Sequence, residues 1–381
     1  MRCDWYISVG MLLLASMPQQ PTIRAQPQAP DNSIVAVRTV MVDGLKLQYL
    51  AAGHGPAVVL LHGYAETSRM WRPLMPRLAE HFTVIAPDLP GIGESDIPKD
   101  GVNMTRAAAR IHDLVKSIGI EKAAVVGHDI GLMVAYAYAA QFPAETEKLV
   151  LMDAFLPGVD GWEAVYNNPR LWHFRFHGPT PEALVAGHER TYLDYYWNDF
   201  AADWTRSLPE TDRRAYAAAY ARPGRMRAAW AYFDSFQQAA KDFARFSETA
   251  LTMPVLSIGG AKANGDALGR QAKAYRGERN RDDLAQHGAL ADGRATTRDG
   301  RRVGRLSQRA AQSDTRVHGA EPTAHDTGRD SCETDRFGAD RQFRVARCHH
   351  ADSYRRSVTH RLLHDRVVGA GAHDDSRAFA P

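Results

Sequence analysis

The sequence predicts an α/β protein: a mostly parallel sheet with helices on both faces and a helical cap inserted late in the chain. Three observations carry that expectation. From 34 to 260, apolar runs of strand length alternate with amphipathic stretches, as in a parallel sheet buried on both sides. His62, Asp88, Asp129 and Asp153 fall at or just past the ends of these strands, where such sheets bind ligands. Over 156–246 the rhythm changes to aromatic-rich helical segments, until "MPVLSIGG" restores the strand pattern.

The elements follow in order. "IVAVRTVMV" and "LKLQYLAA", split by Asp43-Gly44, form a hairpin. Next come strand "AVVLLHG", a helix over 69–80, strand "FTVIAPD", a helix over 104–118, strand "AAVVGHD", a helix over 132–141 and strand "KLVLMDA". The cap is written in "LWHFRF", "TYLDYYWNDF" and "AAWAYFDSF", and packing of the cap's own core accounts for most of these aromatics. The expected organisation is a signal peptide over 1–25, a first core part over 34–155, the cap over 156–248, a truncated second core part over 249–274, and an aberrant tail over 275–381.

With 381 residues and 44% hydrophobic content the chain can bury a large core. A formal net charge of +3 gives no reason to expect a nucleic-acid partner. The leader has one early Arg, an apolar stretch from Trp5 to Met17 and a Pro/Gln-rich run. That stretch is too short for a membrane span but suits a secretory signal cleaved after Ala25, so an exported protein is expected. A mildly apolar tail is the alternative, and Asp4 favours it. Cys3, Cys332 and Cys348 lie in the leader and the tail, so the cysteines do not report on the redox compartment of the folded part.

"VVGHDIGLMVAYAYA" runs from a buried strand into a helix through Gly127-His-Asp-Ile-Gly131. A nucleophile between small residues at a strand-to-helix turn is a nucleophile elbow. Here the slot holds Asp129, and a carboxylate attacks carbon, leaving an alkyl ester that water hydrolyses. The Ile130 N–H lies at the helix N-terminus and can stabilise an oxyanion. The plainer alternative makes Asp129 a helix N-cap. It leaves unexplained "LLHGYAETSRMW", where the Tyr64 N–H occupies the place of a second oxyanion donor.

"LLHGYAETSRMW", "VIAPDLPGIGESD", "GHDIGLMVAYAYA" and "LVLMDAFLPG", in this order, resemble the α/β-hydrolase family, in the aspartate-nucleophile branch of epoxide hydrolases and haloalkane and haloacetate dehalogenases. The resemblance covers residues 34–274 and implies the α/β-hydrolase fold. It also implies attack by Asp129, an oxyanion hole from the Tyr64 and Ile130 N–H groups, a water-activating histidine, a small apolar substrate and no cofactor. The acid that orients the histidine is Asp153 by the earlier of two family positions, with Asp266 near the later one.

Departures from the family narrow the chemistry. Ile130 stands where many relatives carry a halide-holding Trp, and Ile130 and Met133 stand where haloacetate dehalogenases carry arginines, so an epoxide is expected before a halide. The cap tyrosine that protonates the opening oxygen falls at Phe233, leaving Tyr232 beside it as the candidate donor. Ala65 replaces a usual proline. His173 matches a cap histidine of some relatives, and a packed core histidine is an equal alternative.

The family's catalytic histidine, in a Gly-His-Trp-like motif after the last strand, has no counterpart. No Gly-His pair follows Gly260, and the eight later histidines lie in a tail without Lys, Ile, Met or Trp. The tail histidines define no closed metal-ligand set. No regular period survives there, so disorder is expected, with "MPVLSIGG" left as an unpaired edge. Read one base out of frame, the codons for Gly288, Ala289 and Leu290 permit Gly-His-Trp, those for Gly293 and Arg294 permit Glu-Glu, and that for Thr296 permits Pro. Codon degeneracy permits this shifted reading without showing it, and a frameshift near Tyr275 is the expected cause of the missing motif. The chain as written is therefore expected to be inactive, with a non-catalytic pseudoenzyme as the competing reading.

Overall fold

The computed structural model describes residues 35–201 and 208–260, positions 268 and 271, and residues 332–335 and 343–348. All belong to one unit beginning at Ile34. The leader, Asp266 and the eight tail histidines lie outside the described residues.

β1 (Ala36–Val42) and β2 (Leu45–Ala52) form the expected antiparallel hairpin. β3 (Ala57–Leu61), β4 (Thr83–Pro87), β5 (Ala123–His128), β6 (Thr146–Met152) and β7 (Val255–Gly260) supply the parallel part of the sheet. The described part of the tail adds β8 (Cys332–Asp335) and β9 (Phe343–Cys348). The strand order is β1-β2-β4-β3-β5-β6-β7-β9-β8, with β2 antiparallel to β4 and β8 antiparallel to β9. β9 pairs in parallel with β7 along its length, from Val255 opposite Phe343 to Gly260 opposite Cys348. This corrects the expectation of an unpaired β7 edge. Pairing is a property of the backbone, so a segment without a hydrophobic period can still provide it.

β3 is buried along its whole length, and β5 is buried from Ala123 to Gly127, which is why both read as continuous apolar runs. On one face, Trp71, Leu74, Met75 and Leu78 pack against Val58, Leu60, Val84 and Val126. On the other, the helices α2 (Met104–Ser117) and α3 (Ile130–Gln141) pack against the alternate side chains Val59, Leu61 and Val125. The single helix expected over 69–80 is instead a 3-10 turn, Ser68–Trp71, followed by α1 (Met75–Ala79). Pro73 and Pro76 explain the break, because each lacks an N–H and restricts the residue before it.

Between β6 and β7 lie α4 (Trp162–Tyr166), a 3-10 segment (Pro169–Arg175), α5 (Pro179–Val185), α6 (Glu189–Asp199), α7 (Glu210–Tyr220), α8 (Arg225–Asp234) and α9 (Phe236–Phe246). These cap helices close over the loops that follow β3 and β4. Trp197 donates its indole N–H to the Ala65 carbonyl at 3.2 Å, and the Tyr220 hydroxyl donates to the Glu66 carbonyl at 3.1 Å. Arg222 pairs with Glu94 at 2.7 Å and also donates to the Gly93 carbonyl, while Arg225 donates to that of Ser95. At the start of the cap connection, buried Gln271 accepts from the Leu156 N–H and donates back to the Leu156 and Val159 carbonyls.

Candidate active site

The turn between β5 and α3 is set by two glycines and one strained residue. A side chain on Gly127 would overlap the Gly131 carbonyl, and one on Gly131 would lie 2.5 Å from the His62 carbonyl oxygen and 2.6 Å from that of Leu61. Between them Asp129 takes φ +50° and ψ −122°, a backbone conformation that L residues hold only where the surrounding structure enforces it.

The Asp129 side chain makes no helix-capping hydrogen bond. Its Oδ2 accepts from the Tyr64 N–H at 2.9 Å, and the Ile130 N–H donates to the same carboxylate. Two backbone donors from separate elements therefore converge on it. Asp129 does stand at the N-cap position of α3, but its carboxylate does not cap the helix, so the plainer reading leaves that group unexplained. Burial raises the Asp129 carboxyl above its ordinary value, against the pull of His128 and the two N–H groups.

The loop carrying Tyr64 is held from below by His62. Its Nδ1 lies 2.8 Å from the Gly63 carbonyl oxygen and its Nε2 accepts from the Leu89 N–H at 3.0 Å. Those partners fix the neutral ring with the proton on Nδ1. Asp88 is likewise structural: its carboxylate accepts from the N–H groups of Ser68 and Glu94, both at 2.8 Å, and from Gln48 Nε2. Ala65 stands at φ +61°, a value that the proline ring excludes, so the Ala65 departure matches the backbone here.

A group that sequence reasoning missed lies beside Asp129. His128 Nδ1 sits 3.3 Å from Glu66 Oε2, and neither atom has another hydrogen-bond partner among the described residues. Both border Gly63, where a side chain would come within 2.7 Å of the imidazole and 3.0 Å of Asp129 Cβ. Burial acts to lower the His128 imidazole, but Glu66, Asp129 and Asp153 outweigh it and raise it to about 9. The ring is a cation at neutral pH. The adjacency of His128 and Asp129 was visible in the sequence; the Glu66 partner, 62 positions away, was not.

Asp153 ends β6 at φ +51°, and its Oδ1 accepts from the Gly260 N–H at 3.2 Å. It thus stands between the carboxyl ends of β6 and β7, close enough to act on His128. The alternative acid, Asp266, lies outside the described residues, and the described residues beyond Gly260 include no histidine.

In the cap, Tyr232 is fully buried and donates its hydroxyl to the Pro90 carbonyl at 3.0 Å. That bond commits the Tyr232 proton inside the protein, which counts against Tyr232 as the proton donor. Phe233, one residue further along α8, is the one whose ring meets Tyr64, with centroids 4.5 Å apart. His173 is 5% exposed and ringed by Phe174, Tyr196, Phe200 and Phe233. Its Nδ1 has no partner among the described residues, and burial pushes its imidazole down to about 4. Tyr192 and Tyr196 on α6 and Trp230 on α8 add a polar network that sequence reasoning read as packing; the i, i+4 spacing of the two tyrosines was the available signal.

Similarity to known proteins agrees with this architecture. The chain is 32% identical over 235 residues to a soluble epoxide hydrolase of a Corynebacterium species, covering 59% of this chain and 81% of that protein. It is 30% identical over 179 residues to a fluoroacetate dehalogenase of a Burkholderia species, covering 44% of this chain and 59% of the relative. Among solved structures it resembles Cfl2 of Burkholderia cenocepacia at 32% identity with a TM-score of 0.60, covering 65% of this chain and 87% of that one. The family model for the alpha/beta hydrolase fold matches residues 56–285, more than half of the chain, and the chain belongs to that family.

Proposed function

We propose that this chain is built as an epoxide hydrolase that works through an ester on Asp129. The observation that carries the reading is the carboxylate itself, raised on a strained turn with Oδ2 held by the Tyr64 N–H and the Ile130 N–H donating to the same group. The other oxygen, Oδ1, is left to attack an epoxide carbon as the ring C–O bond breaks. In the resulting ester, Oδ2 is the carbonyl oxygen. When water adds, that oxygen carries the negative charge and already has the Tyr64 N–H in place, which is what preorganised oxyanion stabilisation requires. Similarity to the Corynebacterium soluble epoxide hydrolase supports this substrate class.

The second half of the cycle needs a base for water. The contact of Asp153 Oδ1 with the Gly260 N–H at the end of β7 supports the reading of Asp153 as the acid that would orient a histidine supplied after that strand. We attribute the absence of a Gly-His-Trp-like motif to a frameshift near Tyr275, which leaves the chain as written able to form the ester but not to hydrolyse it. Similarity to the fluoroacetate dehalogenase favours a second reading, halide displacement by the same Asp129. Ile130 and Met133 weigh against it, because neither offers a donor to a halide or a carboxylate. A non-catalytic protein that binds an apolar ligand under the cap is the reading from a different class.

The test uses the full chain with a terminal aryl epoxide, followed by denaturing quench, intact mass and peptide mapping. One adduct per chain on the peptide containing Asp129, absent in Asp129→Ala, is expected. A natively folded wild-type chain that gains no mass at Asp129 would remove the covalent mechanism and leave the binding protein.

A further inference from the structure

The two strands that the tail adds to the sheet bring its two cysteines to one register position. β8 runs antiparallel to β9 with Cys332 directly opposite Cys348. In an antiparallel pair, directly opposed residues have Cα atoms about 4.5 or about 5.5 Å apart, according to whether they exchange hydrogen bonds. A disulfide spans Cα separations of about 4.4–6.8 Å. Both kinds of opposed pair fall inside that range, so the backbone placement suffices without movement of either strand. The same register sets Glu333 opposite Arg347, and opposite charges across a strand pair favour the register that opposes them.

The position of this pair in the sheet gives a bond there a consequence. Cys348 also stands opposite Gly260 in the parallel ladder with β7, so Gly260, Cys348 and Cys332 form one row across three strands. That row lies at the carboxyl end of β7, where the Gly260 N–H donates to Asp153. Cys332 opens β8 and Cys348 closes β9, so the pair sits at the open end of the hairpin. β8 reads "CETD", without a large apolar residue, and a hairpin short of apolar contacts is marginal in water. A covalent link across its open end is the constraint from which such a hairpin gains most. We propose that Cys332 and Cys348 form an intrachain disulfide that closes the β8–β9 hairpin and fixes it along β7.

The bond forms by exchange with a glutathione-type disulfide. The thiolate of one cysteine attacks that disulfide, giving a mixed disulfide and one free glutathione thiol. The thiolate of the second cysteine then displaces the other glutathione. Two protein thiols have lost two electrons and two protons, and one glutathione disulfide has become two thiols. A leader that directs export delivers the chain to an oxidising compartment, where such bonds persist. The bond is independent of the role of Asp129. It belongs to the 381-residue chain as written, because the shifted reading after Tyr275 replaces the segment that carries both cysteines.

The experiment equilibrates the full chain with glutathione and its disulfide, alkylates the remaining thiols and digests with trypsin without reduction. Trypsin places Cys332 in peptide 330–336 and Cys348 in peptide 348–355, so the bond joins two separate peptides. That joined pair is expected from a monomeric chain, with Cys3 alkylated. At the same glutathione ratio in urea, the equilibrium constant for the bond is expected to fall by about 100-fold, because an unordered chain must first close the loop that the folded register has already closed. Alkylation of both cysteines in the native chain overturns the proposal. So does a bond from either of them to Cys3 or to a second chain, or an equilibrium constant unchanged in urea. Cleavage after Arg344, inside β9, follows opening of the hairpin and is expected to be at least about tenfold faster in Cys332→Ser and in reduced wild type than in oxidised wild type. Reduced wild type keeps the native sequence and decides the question if the variant fails to fold. Equal cleavage of oxidised and reduced wild type overturns the proposal, since the bond then fixes nothing along β7.

Discussion

Asp129 and its neighbours make a site in which charge is balanced by burial and by a cation one residue away. The His128 imidazole, raised to about 9, gains its proton's stabilisation from Glu66 first among its carboxylate neighbours. A histidine whose folded value lies above its unfolded value contributes stability that is complete below about 6.5 and lost as pH rises through the folded value. The wild-type melting temperature is therefore expected to fall between pH 6.5 and about 9 by more than that of His128→Gln, followed by circular dichroism. Parallel melting curves for the two proteins across that window would contradict the ion pair. His173 has the opposite sign. Its value, pushed down to about 4 by burial, makes its contribution complete above about 6.5 and lost as pH falls toward 4. His173→Phe should accordingly shift the acid-unfolding midpoint to lower pH. The sequence distinguished neither case. Each depends on what surrounds the ring, and for His173 that is a set of aromatic side chains from α6, α8 and the 3-10 segment.

At the scale of elements, the parallel strands and the elbow were legible because burial on both faces writes an uninterrupted apolar run, and the glycines mark where two backbones cross. Residues inside helices were less legible. Successive helical residues point about 100° apart, so the cap sequence left Tyr232 and Phe233 open, and only packing shows that Phe233 meets Tyr64 while Tyr232 turns to Pro90. The break of the 69–80 helix was legible in Pro73 and Pro76 but outweighed there by the apolar period. The elbow itself carries a prediction. An alanine at Gly131 would press its methyl group against the Leu61 and His62 carbonyls, which belong to the strand and loop that position Tyr64. Overpacking of this kind costs about 1–3 kcal/mol. Gly131→Ala is expected to lower the unfolding free energy by about that much and, in the fraction that remains folded, to slow labelling of Asp129 by displacing its two donors. Unchanged stability measured by urea unfolding would mean that the α3 N-terminus can slide away from β3.

For the whole molecule, the pairing of β9 with β7 changes what the tail is expected to do. An unpaired β7 would be a site for aggregation, and the parallel partner over 343–348 removes that argument. No helix among the described residues is long and apolar enough to cross a membrane. If the leader is a secretory signal, the mature protein begins near Gln26 in an exported fraction, and N-terminal sequencing that finds Met1 on the folded protein would refute it. What the tail sequence lacks is a Gly-His-Trp-like motif, and under the proposed function the chain as written and its shifted reading are expected to differ in kinetics. With Asp129 and its two donors in place but no histidine beside β7 among the described residues, the chain as written is expected, under the proposed function, to consume one epoxide per molecule and stop. Moving the frame by one base near Tyr275 is expected to convert that single event into a burst followed by steady turnover, with heavy oxygen from water entering the product only after the first round. Resequencing the codons for residues 273–281 decides which reading the gene holds. Sustained turnover by the 381-residue chain, lost in Asp129→Ala, would show that a base is supplied from within the present sequence, and the frameshift would no longer be needed to explain it.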